Sequence, residues 1–143
     1  MFQNYFLRIS ILNRLLTAGL FLCSLAAQAD ETEVLTVDRI ISHDLALSFS
    51  NDRNEKAKSS DFNLVNYVLM SNELGERWAV ITLKNLASGT RVLENEHLIA
   101  LFANGTRKNP LEFKLNFEAG EVQSITVSFG ENKFPILKVN ASV

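Results

Sequence analysis

The stretch Leu111-Glu112-Phe113-Lys114-Leu115-Asn116-Phe117, then Glu118-Ala119-Gly120, then Glu121-Val122-Gln123-Ser124-Ile125-Thr126-Val127-Ser128-Phe129 decides the fold class. Leu111, Phe113, Leu115 and Phe117 alternate with Glu112, Lys114 and Asn116, so successive side chains point to opposite faces of an extended chain, one dry and one wet. Ile125, Val127 and Phe129 repeat the pattern against Ser124, Thr126 and Ser128. Gly120 stands where a three-residue hairpin loop needs the left-handed region, which a side chain makes costly. The expected register pairs Phe117 with Glu121, Phe113 with Ile125 and Leu111 with Val127, all on one face. A slip by one residue would turn every Phe toward water.

Working outward, residues 34–41, 45–49, 62–70, 98–103 and 134–139 read as strands from their Val, Ile, Leu and Phe content, and 78–83 as a more fully buried one. Asn104-Gly105 suits a turn with positive φ at both central positions, and Pro110 is tolerable at the first residue of the next strand. Residues 51–61 form the one long polar loop. No repeat of 20 to 50 residues and no helical periodicity longer than two turns occurs. Seven to eight short strands at this spacing predict an all-β, antiparallel sandwich.

The stretch Trp78-Ala79-Val80-Ile81-Thr82-Leu83-Lys84-Asn85, with Leu-Phe-Ala-Asn-Gly at 101–105 and Leu115-Asn116-Phe117-Glu118-Ala119-Gly120-Glu121, resembles bacterial extracytoplasmic immunoglobulin-like β-sandwich domains. The resemblance spans roughly residues 76–140. It implies an immunoglobulin-like sandwich and carries no functional residues with it. The Cys, Trp, Cys core of antibody domains is absent, so Trp78 is expected only as a buried indole.

The N-terminus reads as an address. Arg8 and Arg14 have no counter-charge, residues 15–27 form an apolar run, and Ala27-Gln28-Ala29 supplies small residues before Asp30. This is the layout of a secretory signal peptide at residues 1–29, with a single sandwich domain at 30–143. The run is shorter than the ~20 residues a membrane span requires, so no stable span is expected after cleavage. Cys23 leaves with the signal, and the remaining chain then has no cysteine for disulfides, thiolate zinc sites or nucleophiles. A disulfide-free secreted domain fits a Gram-negative periplasm as the expected compartment.

Of 14 Lys and Arg, removal of Arg8 and Arg14 leaves 12 against 16 acids, a balance about four units negative. No basic cluster remains to bind nucleic acid or an anionic membrane surface. Leu, Ile, Val and Phe make up about a third of residues 30–143, well above disordered chains. A domain this long buries roughly 65% of its unfolded surface and needs no staples.

Chemistry-bearing residues are sparse. His43 beside Asp44, and His97 beside Glu94 and Glu96, are the one constellation that could bind a metal or move protons. Their spacing matches no zinc motif. No Gly-x-Ser-x-Gly elbow, Ser-x-x-Lys pair, phosphate loop or dinucleotide fingerprint occurs. Glu73 with Glu76 and Glu118 with Glu121 sit at turns, where water keeps carboxylates ordinary. Residues 51–55 have the composition of a calcium loop, but Arg53 occupies a ligand position. Trp78 and Phe113 are expected in the core. Tyr67, Phe134, Pro135 and Ile136 are the candidates for partner contact, the last three on a strand edge where Pro135 has no amide to offer.

The expectation is a non-enzymatic periplasmic or secreted protein with no cofactor, acting on another protein or envelope component through loops and strand edges. Two alternatives come from other classes. One is a small metal-binding protein or enzyme built on His43, His97 and nearby carboxylates. The other is a subunit of a surface filament.

Overall fold

Nine strands follow one another along the described residues, 31–39 and 47–143, of the computed structural model. They are β1 (Thr36–Val37), β2 (Phe62–Ser71), β3 (Glu76–Asn85), β4 (Arg91–Glu94), β5 (Leu98–Phe102), β6 (Arg107–Lys108), β7 (Lys114–Phe117), β8 (Val122–Glu131) and β9 (Ile136–Ala141). Helical structure among these residues is limited to two single 3-10 turns, at Glu31–Glu33 and Asn95–His97. The unit Thr32–Val143 is all-β, as expected from the alternation.

Three sheets share one core. A four-stranded antiparallel sheet has the order β1-β2-β3-β8, a three-stranded one β6-β5-β9, and β4 pairs with β7. Ala79, Ile81 and Leu83 of β3 and Ile125, Val127 and Phe129 of β8 are buried at alternate positions, so the long sheet presents one apolar face. All five residues of β5 are buried, because this central strand of its sheet has neighbours on every side. Phe62 meets Phe117 edge to face at 5.1 Å between ring centres, and Phe102 meets Phe129 at 6.5 Å. Such pairs contribute about 0.5–1.5 kcal/mol each beyond area burial, and here they join different sheets.

The expected hairpin between residues 117 and 121 does not form. Phe117, Asn116, Leu115 and Lys114 pair with Arg91, Val92, Leu93 and Glu94, whereas β8 pairs with β3. Glu118-Ala119-Gly120 carries the chain from one sheet to another. Gly120 has φ 70°, the left-handed conformation its position suggested. A positive-φ residue serves a hairpin and a crossing arch equally well, so local turn chemistry does not choose between them. Only Leu111 stays tied to β8, its amide donating to the Ser128 carbonyl at 2.7 Å. Phe117 is fully buried, while Leu111 and Leu115, expected on the same dry face, are exposed at 55% and 38%.

Other expectations shift by smaller amounts. Residues 78–83 are not buried throughout: alternation turns Trp78, Val80 and Thr82 to the outer face of the sheet, half-buried, and Leu98–Phe102 is the buried run instead. Trp78 therefore lies outside the core, although its indole N–H is shielded without a hydrogen-bond partner. At Asn104-Gly105 only Gly105 takes positive φ, and the turn closes through Phe102 N–H to the Thr106 carbonyl at 2.9 Å. The strand expected at 34–41 is the two-residue β1 among described residues, residues 47–49 are not a strand, and 40–46 lie outside the described residues.

Candidate functional site

A groove of about 440 Å³ lies between the edges of β2 and β9. On the β2 side, β1 covers only Met70 and Ser71, helped by the Asp38 amide donating to the Leu69 carbonyl at 2.9 Å. Among the described residues no strand lies beside residues 63–67 on that edge. On the other side, β9 ends its sheet, and its outer edge joins the rest of the described chain by backbone only at Ser142, which accepts from the Ser60 amide at 2.8 Å.

The Tyr67 amide donates to the Oδ1 of Asn66 at 2.8 Å. Across the groove, the Tyr67 hydroxyl faces the Val139 backbone amide. Burial pushes the Tyr67 hydroxyl above its ordinary pKa, and the Val139 amide partly offsets this. Leu64, Tyr67 and Ala141 pack against the core, so the groove has an apolar floor. Asn63, Asn66, Lys138 and Asn140 give it a polar rim carrying one positive charge. A bulge at Val65 breaks the register between β2 and β3 beside it.

Of the residues expected at a partner surface, Tyr67 is in this groove, and Phe134 and Pro135 are exposed in the turn that leads into β9. Ile136 has its side chain buried in the core, so its backbone alone could meet a partner. Lys138, Asn140 and Asn66 were not singled out in the sequence. Which strand lacks a neighbour is a property of topology, and no local pattern reports it.

The histidine constellation comes out differently. His97 closes the 3-10 turn before β5 and is 8% exposed, not solvated as a strand-start residue would be. Its Nδ1 accepts the Glu94 amide at 3.0 Å, and its ring packs 6.0 Å from that of Phe62. Burial lowers its pKa, with Lys58 adding to the effect, so the ring is held neutral with its proton on Nε2. Glu94 pairs with Lys114 at 2.8 Å, which holds its carboxyl below the ordinary range, and Glu96 pairs with Lys58 at 3.1 Å. These groups close a turn and bridge strands. Among the described residues no three His, Cys, Asp or Glu side chains gather as a metal site would require, and His43 lies outside the described residues.

A second cluster fastens the long loop. Arg107 donates two hydrogen bonds of 2.8 Å to Asp52, and the Asn51 amide group donates to the Asn104 carbonyl at 2.7 Å. The Arg107 guanidinium holds the Asp52 carboxyl down at about 2. This pair clamps the loop onto the β5–β6 turn, with a shallow hollow of about 300 Å³ beside it.

Among the described residues no helix is long and apolar enough to cross a membrane. Compared with family models, with curated proteins and with solved structures, the chain matches none.

Proposed function

We propose that this chain is a non-enzymatic, extracytoplasmic interaction domain of immunoglobulin-like sandwich type, which holds another polypeptide at the β2–β9 groove. The observation that carries the reading is the groove itself, an apolar floor of Leu64, Tyr67 and Ala141 inside a polar rim of Asn63, Asn66, Lys138 and Asn140. A partner segment laid over the groove meets this floor with apolar side chains and the rim with polar ones, the anatomy of a protein interface. The segmented N-terminus, with Arg8 and Arg14, the run 15–27 and Ala27-Gln28-Ala29, supports export to the periplasm.

The test is position-resolved photo-crosslinking in the cell envelope. A photoreactive phenylalanine analogue at Asn66 or Asn140, on the groove rim, is expected to form discrete covalent adducts. The same probe at Lys84 or Thr126, both exposed on the four-stranded sheet, is the control. Equal labelling at all four positions, or none at the rim, overturns the proposal.

A further inference from the structure

β8 ends the four-stranded sheet. The Asn85 amide donates to the Glu121 carbonyl at 2.9 Å, and the register with β3 runs unbroken from Val122 to Ser128, so the backbone groups of Glu121, Gln123, Ile125 and Val127 point toward β3. Those of Val122, Ser124, Thr126 and Ser128 point away. The Leu111 amide takes the Ser128 carbonyl at 2.7 Å. Among the described residues nothing bonds to the backbone amides or carbonyls of Val122, Ser124 and Thr126, and all three residues are exposed. Folded proteins guard such edges with charge, Pro or a bulge. β6 carries Arg107 and Lys108 and β9 carries Lys138, whereas Val122-Gln123-Ser124-Ile125-Thr126-Val127-Ser128-Phe129 has no charge and no Pro. An unguarded edge rich in β-branched residues is a template for another strand.

We infer that β8 pairs with β8 of a second copy of this chain, antiparallel about a twofold axis at Ser124, to make one continuous sheet. The inference goes beyond the groove reading and does not rest on it, since β8 and β2 lie on opposite sides of β3. The open groups fix both occupant and register. They are centred on Ser124, so turning the strand end for end lays Val122 on Thr126 of the second copy and Ser124 on its own equivalent. Every open amide then meets an open carbonyl. An axis at Ile125 would set Val122 against Ser128, whose carbonyl Leu111 already holds, and an axis at Gln123 would set Thr126 against Gly120, where the chain turns with φ 70°. Side chains agree with the Ser124 axis. The Ser124 and Thr82 hydroxyls lie 2.8 Å apart on the outer face, and the axis brings the same pair of the second copy alongside, a cross-strand row of hydroxyls. Val122, 55% exposed, is covered by Thr126 of the second copy. No like charges meet along the paired stretch. A twofold contact of this kind uses up the edge, so assembly stops at two.

An edge this short buries less than the roughly 1,200–2,000 Å² of a standard interface, so pairing is weak. Light scattering of the full chain between about 10 μM and about 1 mM is expected to show the mass rise from one chain to two. Over the same range, residue-resolved amide exchange is expected to slow at Val122, Ser124 and Thr126 and to stay unchanged at Gln123, Ile125 and Val127, which already bond to β3. A general gain in stability would not alternate in this way. Ser124→Lys, on an exposed residue and so compatible with folding, sets like charges at the axis and is expected to weaken pairing about tenfold or more. Mixing Ser124→Lys with Ser124→Glu chains is expected to restore it. A photoreactive probe at Thr126 is expected to link two copies of this chain at the high concentration, a product whose mass separates it from a rim adduct. A wild-type chain that stays single to about 1 mM, association that Ser124→Lys leaves intact, or growth past two copies overturns the inference. Protection of the β8 amides that appears only on adding envelope extract assigns the edge to a different protein and likewise overturns it.

Discussion

The carboxamide of Asn85 donates to the backbone carbonyl of Glu118 at 2.8 Å, joining the last residue of β3 to the arch between β7 and β8. The same nitrogen reaches the carbonyls of Gly89 at 2.9 Å and Phe117 at 3.4 Å, while Oδ1 accepts from the Ala87 amide at 3.0 Å. Asn85 has no solvent exposure, so these groups have no water to turn to. One buried side chain thereby fixes how the chain changes sheets. Asn85→Ala is expected to cost about 2–4 kcal/mol, since several buried backbone groups lose their partner at once. Urea unfolding should show a lower midpoint with an unchanged slope. Asn85→Asp should be worse at neutral pH, because a carboxylate would then face carbonyl oxygens.

The arch makes a sharp distinction among residues of one alternating run. Phe117→Ala is expected to cost about 3–5 kcal/mol, whereas Leu115→Ala and Leu111→Ala should each cost under about 1.5 kcal/mol, being exposed. A simple hairpin packed on one face would make all three costly. Denaturant midpoints of the three variants decide between the two arrangements.

Much of this fold is legible in side-chain alternation, and the limits are instructive. Ile125, Val127 and Phe129 face the core as their spacing requires, and Gly120 takes the backbone conformation its position suggests. The partner of Leu111 to Phe117 was not readable, because period two reports which face is dry and says nothing about which strand lies alongside. Trp78 failed as a core residue for a related reason: with Ala79, Ile81 and Leu83 inward, its parity sends it outward regardless of hydrophobicity. At the groove, Tyr67 was recognisable as an amphipathic residue on a strand. Its role depends on Val139, 72 positions away, which only the folded chain brings near.

His97 predicts a pH response. Its folded-state pKa is lowered by burial, so the unfolded chain takes up a proton more readily. The stabilisation is present above the unfolded value of about 6.5 and is lost as pH falls below it. Protonation also displaces the Glu94 amide from Nδ1. Between about pH 7.5 and about pH 5.5 the wild-type urea midpoint should fall more than that of His97→Gln. Parallel midpoints would show that His97 is not the titrating group.

Asp52 acts lower on the pH scale. With its carboxyl held at about 2 by Arg107, it contributes stability above the unfolded value of about 3.9 that disappears as pH falls toward 2. Asp52→Asn should remove this part of the acid dependence. It should also speed amide exchange in residues 50–56 at neutral pH, because a carboxamide keeps at most one of the two bonds to Arg107 and none of the charge.

The central claim is that the groove between β2 and β9 is a contact site for another polypeptide. Amide hydrogen exchange, resolved at Tyr67, Val139 and Ala141, tests it on the free chain and on the chain bound to the partner that rim crosslinking captures. The account predicts slower exchange at these amides in the bound sample, with Lys84 and Thr126 unchanged. Free rates at all three amides in the bound sample would contradict it.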